Sequence, residues 1–205
     1  MKRLLDILIA AIALIMLSPI FLFVIYEVRK NLGSPIFFYQ ERPGKNARIF
    51  KMIKFRSMLN AIDEHGHPLP DEKRITPFGQ KLRSTSLDEM PQLINVLKGD
   101  MSIVGPRPQM KEFLDHYTSE QMRRHEVKPG MTGLAQVSGR NNLSWEEKFA
   151  LDVQYVEQQS IWLDFKIMLK TVKVMLNKEG INAPDQTVGA ERFSGSSQEA
   201  NSKNL

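Results

Sequence analysis

The amino-acid sequence predicts an α/β, mostly helical protein: a broken apolar helix over residues 1–30, a small compact domain over residues 31–193 that opens on a short β-hairpin, and a polar tail over residues 194–205. Three observations carry this expectation. Residues Ile7 to Tyr26 hold no charge, and Ser18-Pro19 interrupts them near the middle. After Tyr26 the pattern changes abruptly to mixed polar and apolar through the turn Asn31-Leu-Gly-Ser-Pro35. Further along, apolar residues recur at the helical period.

The uncharged run is 20 residues long, and at about 1.5 Å per residue a straight helix of that length matches the roughly 30 Å hydrocarbon core of a bilayer. It is longer than the apolar part of a secretory leader, and no small-x-small cleavage site follows it, so a cleaved leader is not expected. Lys2 and Arg3 precede the run while Arg29 and Lys30 follow it, so both ends are drawn to the cytoplasmic side. Pro19 cannot donate a backbone hydrogen bond and clashes with the carbonyl of Ile15, so a kink is expected there, with the Ser18 hydroxyl placed to satisfy a freed backbone group. A kinked span and a re-entrant hairpin that enters and leaves on one face both satisfy these observations.

In the domain, Ile36 to Gln40 reads as a strand, Arg42-Pro-Gly-Lys45 as a turn, and Ala47 to Met58 as a second strand, together a hairpin. Asp63 to Pro77 is charged and rich in proline and histidine, which predicts an exposed loop. A helix is expected from near Asp88 through Leu93 to Leu97, stopping at Lys98-Gly99. Glu112 to Glu126 and Trp145 to Gln159 have helical periodicity. Trp162 to Asn177 is amphipathic, with Phe165, Met168, Leu169, Val172 and Leu176 on one face and Lys166, Lys170 and Lys173 on the other. Such a helix suits either a membrane surface or packing on the core. From Ser194 the composition is that of a disordered tail.

With 205 residues, 42% hydrophobic and 25% charged, the chain suits one globular core and excludes a wholly disordered or fibrous protein. The absence of cysteine excludes disulfides, thiolate metal sites and cysteine nucleophiles. A net charge of +5 points to an anionic partner, whether nucleic acid, phospholipid or a phosphorylated small molecule. Nucleic acid is not expected, because the basic residues are scattered and no recognition helix or aromatic strand stands out.

The best reactive centre is Asp88-Glu89. Ser86-x-x-Glu89 also matches a capping box, a purely structural motif. With Ser86 as N-cap, however, Pro91 falls at the fifth helical position, where its missing N–H is needed. A start at Leu87 or Asp88 puts Pro91 in the first turn and both carboxylates at the electropositive end of the helix, which keeps them ionised. An ionised carboxylate can attack phosphorus, and its neighbour can hold a hard divalent ion such as Mg²⁺. Arg107, in Gly105-Pro-Arg-Pro108, is presented from a stiff loop. Lys54, Arg56, Arg83 and Arg140 can each pair with a phosphate oxygen. No Walker A or G-x-G-x-x-G sequence is present. His65 and His67, with Asp63 and Glu64, lie in the proline-rich loop and are assigned no role.

With these residues in view, the chain resembles the small monotopic phosphoglycosyl transferases, bacterial sugar transferases that begin undecaprenyl-linked glycan assembly. The resemblance runs from Lys2 to Phe193 and rests on Lys2-Arg-Leu-Leu-Asp6, Ser18-Pro19, Gln40-Glu-Arg-Pro-Gly44, Phe50-Lys-Met-Ile-Lys-Phe-Arg-Ser-Met58, Ser86-Leu-Asp-Glu-Met-Pro-Gln-Leu93, Asn95-Val-Leu-Lys-Gly-Asp-Met-Ser102, Gly105-Pro-Arg-Pro108, Lys128-Pro-Gly-Met-Thr-Gly-Leu-Ala-Gln136 and Gly139-Arg140. It implies a re-entrant membrane helix broken at Ser18 and Pro19, amphipathic interfacial helices, and a catalytic domain on the cytoplasmic face of the bacterial inner membrane. It implies Asp88 as covalent nucleophile, Glu89 (with Asp88) at a magnesium (Mg²⁺) site, and Lys54, Arg83, Arg107 and Arg140 as phosphate contacts. The implied partners are a UDP-sugar, undecaprenyl phosphate and membrane lipid, in a ping-pong transfer of sugar phosphate that releases UMP. Val188-Gly-Ala-Glu-Arg-Phe193 resembles the C-terminal region of the members that transfer N,N'-diacetylbacillosamine phosphate in protein glycosylation, so UDP-N,N'-diacetylbacillosamine or a related N-acetyl hexosamine donor is expected. A different class of protein, a non-catalytic scaffold binding anionic lipid through its basic face, is the rival expectation.

Overall fold

A computed structural model describes residues 1–139, 143–177 and Phe193, with the backbone alone for 175–177. The 194–205 tail, Arg140 and residues 188–192 lie outside the described residues, as does the side chain of Leu176.

The N-terminal run forms two helices, α1 (Lys2–Met16) and α2 (Ser18–Leu32), bent by 64° at Leu17. The break has the cause read from the sequence: Pro19 sits in the first turn of α2, and the Ser18 hydroxyl donates to the Ile15 carbonyl at 2.8 Å. No single described helix is long and apolar enough to cross a membrane, although the bent pair passes that test together.

Both outer ends of the pair are fastened to the same compact domain. At the start of α1, Lys2 Nζ pairs with Asp164 at 2.6 Å and donates to the Val104 carbonyl at 3.1 Å. Arg3 donates to the carbonyls of Val96 and Leu97 at the end of another helix, where cations complement the exposed carbonyls. The buried Asp6 carboxylate accepts from Ser102 Oγ at 2.9 Å and Ile103 N–H at 3.0 Å. At the far end of α2, Val24, Val28 and Leu32 pack with Phe55, Leu82 and Met90, and Arg56 donates to the carbonyls of Leu32 and Ser34. Between these anchors apolar side chains are exposed along both helices, among them Leu4, Leu8 and Ile12, and across the elbow, where Ile15, Met16, Leu22 and Phe23 are exposed.

The expected hairpin is present as β1 (Phe37–Pro43) antiparallel to β2 (Ile49–Phe55), with Phe37 opposite Phe55 and Pro43 opposite Ile49. The first strand runs on through Arg42 and Pro43, which the sequence placed in the turn; the second starts later than expected, because Asn46 and Ala47 take positive φ, and ends at Phe55 rather than Met58. The region of 63–77 is largely exposed but contains a short helix, α3 (Asp71–Arg74), and leads into α4 (Pro77–Ser84). Helix α5 (Gln92–Lys98) ends at Gly99 in the left-handed region, as Lys98-Gly99 predicts. A parallel pair absent from the sequence reading joins β3 (Ser102–Val104) to β4 (Gly130–Thr132). These strands are three residues each, too short to show a period.

The helix expected over 112–126 is broken into a 3₁₀ turn (Lys111–His116), α6 (Ser119–Met122) and a second 3₁₀ turn (Arg123–His125). Thr118 is the reason: it is extended, and it forms a capping box with Gln121 that starts a new helix inside the periodic stretch. After α7 (Leu134–Ser138), α8 (Trp145–Gln158) and α9 (Ile161–Asn177) fall close to their expected bounds. Among the described side chains of α9, Asp164 and Ile167 are buried, while Trp162, Phe165, Leu169 and Val172 are exposed beside Lys166, Lys170 and Lys173. The helix packs on the core through Ile167, with Leu163 and Met168 against the same cluster as Val104 and Tyr155, while Phe165, Leu169 and Val172 of the apolar stripe stay exposed, so α9 meets the core on one side and leaves an apolar surface on the other.

Asn95 joins the hairpin to α5. Its buried amide accepts from Ile53 N–H at 2.9 Å and donates to the Lys51 carbonyl at 2.8 Å and to Asp100 at 3.1 Å. Replacing it leaves buried strand groups unpaired, so Asn95→Ala is expected to lower the unfolding free energy by about 3 kcal/mol, measured by chemical denaturation.

Candidate active site

Asp88 and Glu89 lie in a 3₁₀ turn, Leu87–Glu89, between α4 and α5. The capping-box reading fails here: Ser86 is left-handed (φ 56°) and makes no side-chain cap, whereas an N-cap needs an extended residue. The turn also stays separate from α5. Pro91 has no N–H to reach the Leu87 carbonyl, so the turn closes one residue earlier, through Met90 N–H at 3.2 Å, and α5 starts after the proline.

Three elements bring cations to this turn. Lys54, on β2, donates to Glu89 Oε1 at 2.9 Å. From the Gly105–Pro108 loop, Arg107 makes a forked contact with Glu89, Nη2 to Oε1 at 2.6 Å and Nη1 to Oε2 at 3.3 Å. Arg83, in the last turn of α4, donates to Ser57 Oγ at 2.8 Å, and its charge is felt at Asp88. The loop is stiffened by its prolines and by contact with β4 and the residues before it, so close that a Cβ on Gly105 would stand 2.4 Å from the Lys128 carbonyl and 2.9 Å from Gly130 N. Lys54, Arg83 and Arg107 thus converge on the acidic pair, as the sequence suggested, and Arg140 lies outside the described residues. Arg56 does not join them; it leaves the strand face to cap α2.

The two carboxylates differ. Burial raises the Asp88 pKa to about 6, further helped by the negative charge of Glu89 and opposed by Lys54, Arg83 and Arg107. The expectation that a helix end keeps both groups readily ionised is therefore corrected for Asp88, which is only 7% exposed and accepts no hydrogen bond from the described residues. Burial acts on Glu89 in the same sense, but Arg107 and Lys54 outweigh it and hold this carboxyl well below its usual range. One group is thus a weakly solvated carboxylate and the other a firmly ionised clamp.

No group of three or more metal-ligating side chains exists among the described residues. A Mg²⁺ ion bound partly through substrate phosphates needs only one or two carboxylates, so the pair present fits it. Asp63 accepts from the N–H groups of His65 and His67 at 2.9 and 2.8 Å, which makes that cluster an ordinary loop turn.

Sequence reasoning missed two residues here. Arg42, half-buried at the end of β1, lies close enough to feel the charges of Arg107 and Glu89, and it stands in the Gln40–Gly44 motif. Arg124 is buried beneath the Arg107 loop, and nothing in its local sequence marks it.

An acidic pair ringed by cations from three elements is suited to handling phosphorylated substrates. The chain belongs to the bacterial sugar transferase family, whose pattern it matches over residues 1–178. It is 52% identical over 196 residues to the uncharacterized sugar transferase EpsL of Bacillus subtilis, covering 96% of each chain. It is 39% identical over 197 residues to the undecaprenyl-phosphate galactose phosphotransferase of Salmonella typhimurium, covering 88% of this chain and 41% of the relative. To the UDP-glucose:undecaprenyl-phosphate glucose-1-phosphate transferase of Xanthomonas campestris it is 41% identical over 190 residues, covering 87% of this chain and 39% of the relative. The chain therefore spans nearly all of one relative and well under half of the other two.

The raised Asp88 pKa has a stability consequence. The folded protein holds this proton up to about pH 6, whereas an unfolded aspartate releases it near its ordinary value of 3.8, so stability falls as pH rises between the two. Asp88→Asn, which removes the buried charge, is expected to stabilise the fold at pH 7.5 by about 3 kcal/mol, with the difference gone near pH 4, as read by thermal unfolding at both pH values.

Proposed function

We propose that this protein transfers a sugar 1-phosphate from a UDP-sugar to undecaprenyl phosphate, releasing UMP, with Asp88 as covalent nucleophile. The observation that carries this reading is the buried Asp88 carboxylate beside a Glu89 held by Lys54 and Arg107. The names of the relatives in Salmonella and Xanthomonas support the same class of substrates.

In the first half-reaction an Asp88 carboxylate oxygen attacks the β-phosphorus of the UDP-sugar. The bond from that phosphorus to the bridging oxygen breaks, and UMP leaves with the electron pair. Lys54, Arg83 and Arg107 balance the phosphate charge, and Arg140 is proposed to join them. In the second, a phosphate oxygen of undecaprenyl phosphate attacks the aspartyl phosphosugar, the lipid diphosphate sugar departs, and the Asp88 carboxylate is regenerated. Asp88 and Glu89 are the residues that would hold Mg²⁺, which supplies charge neutralisation at the diphosphate. Burial leaves the Asp88 carboxylate poorly solvated, which favours attack but requires deprotonation first.

The lipid substrate requires a membrane surface, and the bent α1–α2 pair is proposed to dip into the inner membrane from the cytoplasmic side and return. Its two ends are fastened to one domain and its apolar elbow is exposed, which suits a hairpin better than a span. The exposed apolar and lysine-bearing side of α9 is proposed to lie in the same interface. The donor sugar is proposed to be UDP-N,N'-diacetylbacillosamine or a related N-acetyl hexosamine, from the resemblance at residues 188–193. The names of the Salmonella and Xanthomonas relatives favour a second reading, with galactose or glucose as the transferred sugar.

Asp88→Asn is expected to abolish UMP release while leaving membrane association intact, and trapping with UDP-sugar should place a phosphosugar adduct on Asp88; product formed without such an adduct would overturn the mechanism. Full turnover absent from the wild type with every donor would favour the lipid-binding scaffold. For the active enzyme, kcat/KM for UMP release should rise with pH through about 6, as Asp88 ionises. Because the chain has no cysteine, one cysteine placed ahead of Met1 and another at Asn31 can be labelled separately. Both should react from the cytoplasmic face, and labelling of the first only from the other face would sink the hairpin.

A further inference from the structure

Arg107 reaches Glu89 only if the short loop that carries it is held at one height, and two prolines flank the residue without backbone donors of their own. Three backbone groups of the loop are tied down. Gly105 N–H donates to the Thr132 carbonyl at 2.9 Å, and the Pro106 carbonyl accepts from Gly130 N–H at 3.0 Å, both in β4. The third, the carbonyl of Arg107 itself, accepts from a side chain, Arg124 Nη2, at 2.7 Å.

That guanidinium is only 2% exposed and fully engaged. Its Nε and Nη2 donate to Asp152 Oδ2 at 3.0 and 2.6 Å, and its Nη1 donates to the Tyr117 hydroxyl at 3.1 Å. Asp152 comes from α8 and is itself 3% exposed. A buried ion pair contributes little net stability compared with apolar side chains of similar volume, because desolvation offsets the attraction. Apolar replacements could fill this space, but they could not hold the Arg107 carbonyl.

We propose that Arg124, clamped by Asp152, is a positioning residue for the transfer: it sets the main chain of the Arg107 loop so that the Arg107 guanidinium stands at Glu89 and meets the substrate diphosphate. The inference rests on the reading of Arg107 as a phosphate contact. Arginine is needed because its planar fork presents separate donors to Asp152, Tyr117 and the carbonyl at once, whereas a lysine offers one ammonium on a flexible stem.

The test is UMP release by the full-length chain in lipid. Arg124→Lys should raise KM for the UDP-sugar and lower kcat/KM by about 10- to 100-fold, the scale of a misplaced binding group. A merely smaller folded fraction would lower kcat and leave KM alone. Introduced into Arg107→Ala, the same change should cost less than about twofold more, since the group it positions is already gone. An unchanged KM, or an equal loss in both backgrounds, would overturn the proposal. If Arg124→Lys does not fold, Asp152→Asn keeps the volume and an acceptor oxygen, and it should shift KM in the same direction; no shift would likewise overturn it. A crystal structure of whichever variant folds reads the loop without turnover. The 2.6 Å contact of Arg107 with Glu89 should open, and its persistence refutes the positioning role. Failure of the wild type to release UMP would instead strike the reading of the reaction, and the crystal structure would still decide this one.

Discussion

The forked contact between Arg107 and Glu89, shared with Lys54, is the interaction on which the rest of the site depends. It joins a strand, a 3₁₀ turn and a proline-flanked loop that are far apart in the chain, and it does so at the edge of a buried carboxylate. The clamp keeps Glu89 ionised, and that charge raises the pKa of Asp88 beyond what burial alone does. The same cations pull Asp88 the other way, so its pKa settles at about 6 rather than higher. This is a site in which folding stability is given up for a poorly solvated carboxylate.

The anchoring of the N-terminal helices shows how a bent apolar helix pair can be tied to a polar domain. Lys2, Arg3 and Asp6 each spend their charge on groups of the domain, at a helix end, a strand and a buried acid. With Arg56 capping the end of α2, the pair is held at both ends, while apolar side chains along it and at its elbow stay exposed. Bending at Ser18-Pro19 is thus only half of the arrangement; the other half is the set of long-range polar contacts that bring both ends back to one side.

Several features were legible from local chemistry. The break at Ser18-Pro19, the hairpin, the stop at Gly99 and helices α8 and α9 all follow from properties of neighbouring residues, namely proline's missing donor, glycine's access to positive φ and short-range periodicity. The capped restart at Thr118 was also local in cause, but it was masked by a helical period that ran through it. The parallel β3–β4 pair was not legible at all, because two three-residue strands gain their partners only across the fold.

By itself, the sequence determined which residue types stand together locally: an adjacent pair of carboxylates, a basic residue held between prolines, and a helix that must break in its apolar middle. Tertiary structure alone decided which cations reach the pair and what state each carboxylate adopts. Lys54 turned toward Glu89 while Arg56, two residues on, turned away to cap α2, and Arg124 became the support of a loop seventeen positions before it. The physical reason is that charge interactions and desolvation depend on distance and burial in space, quantities that separation along a chain does not encode.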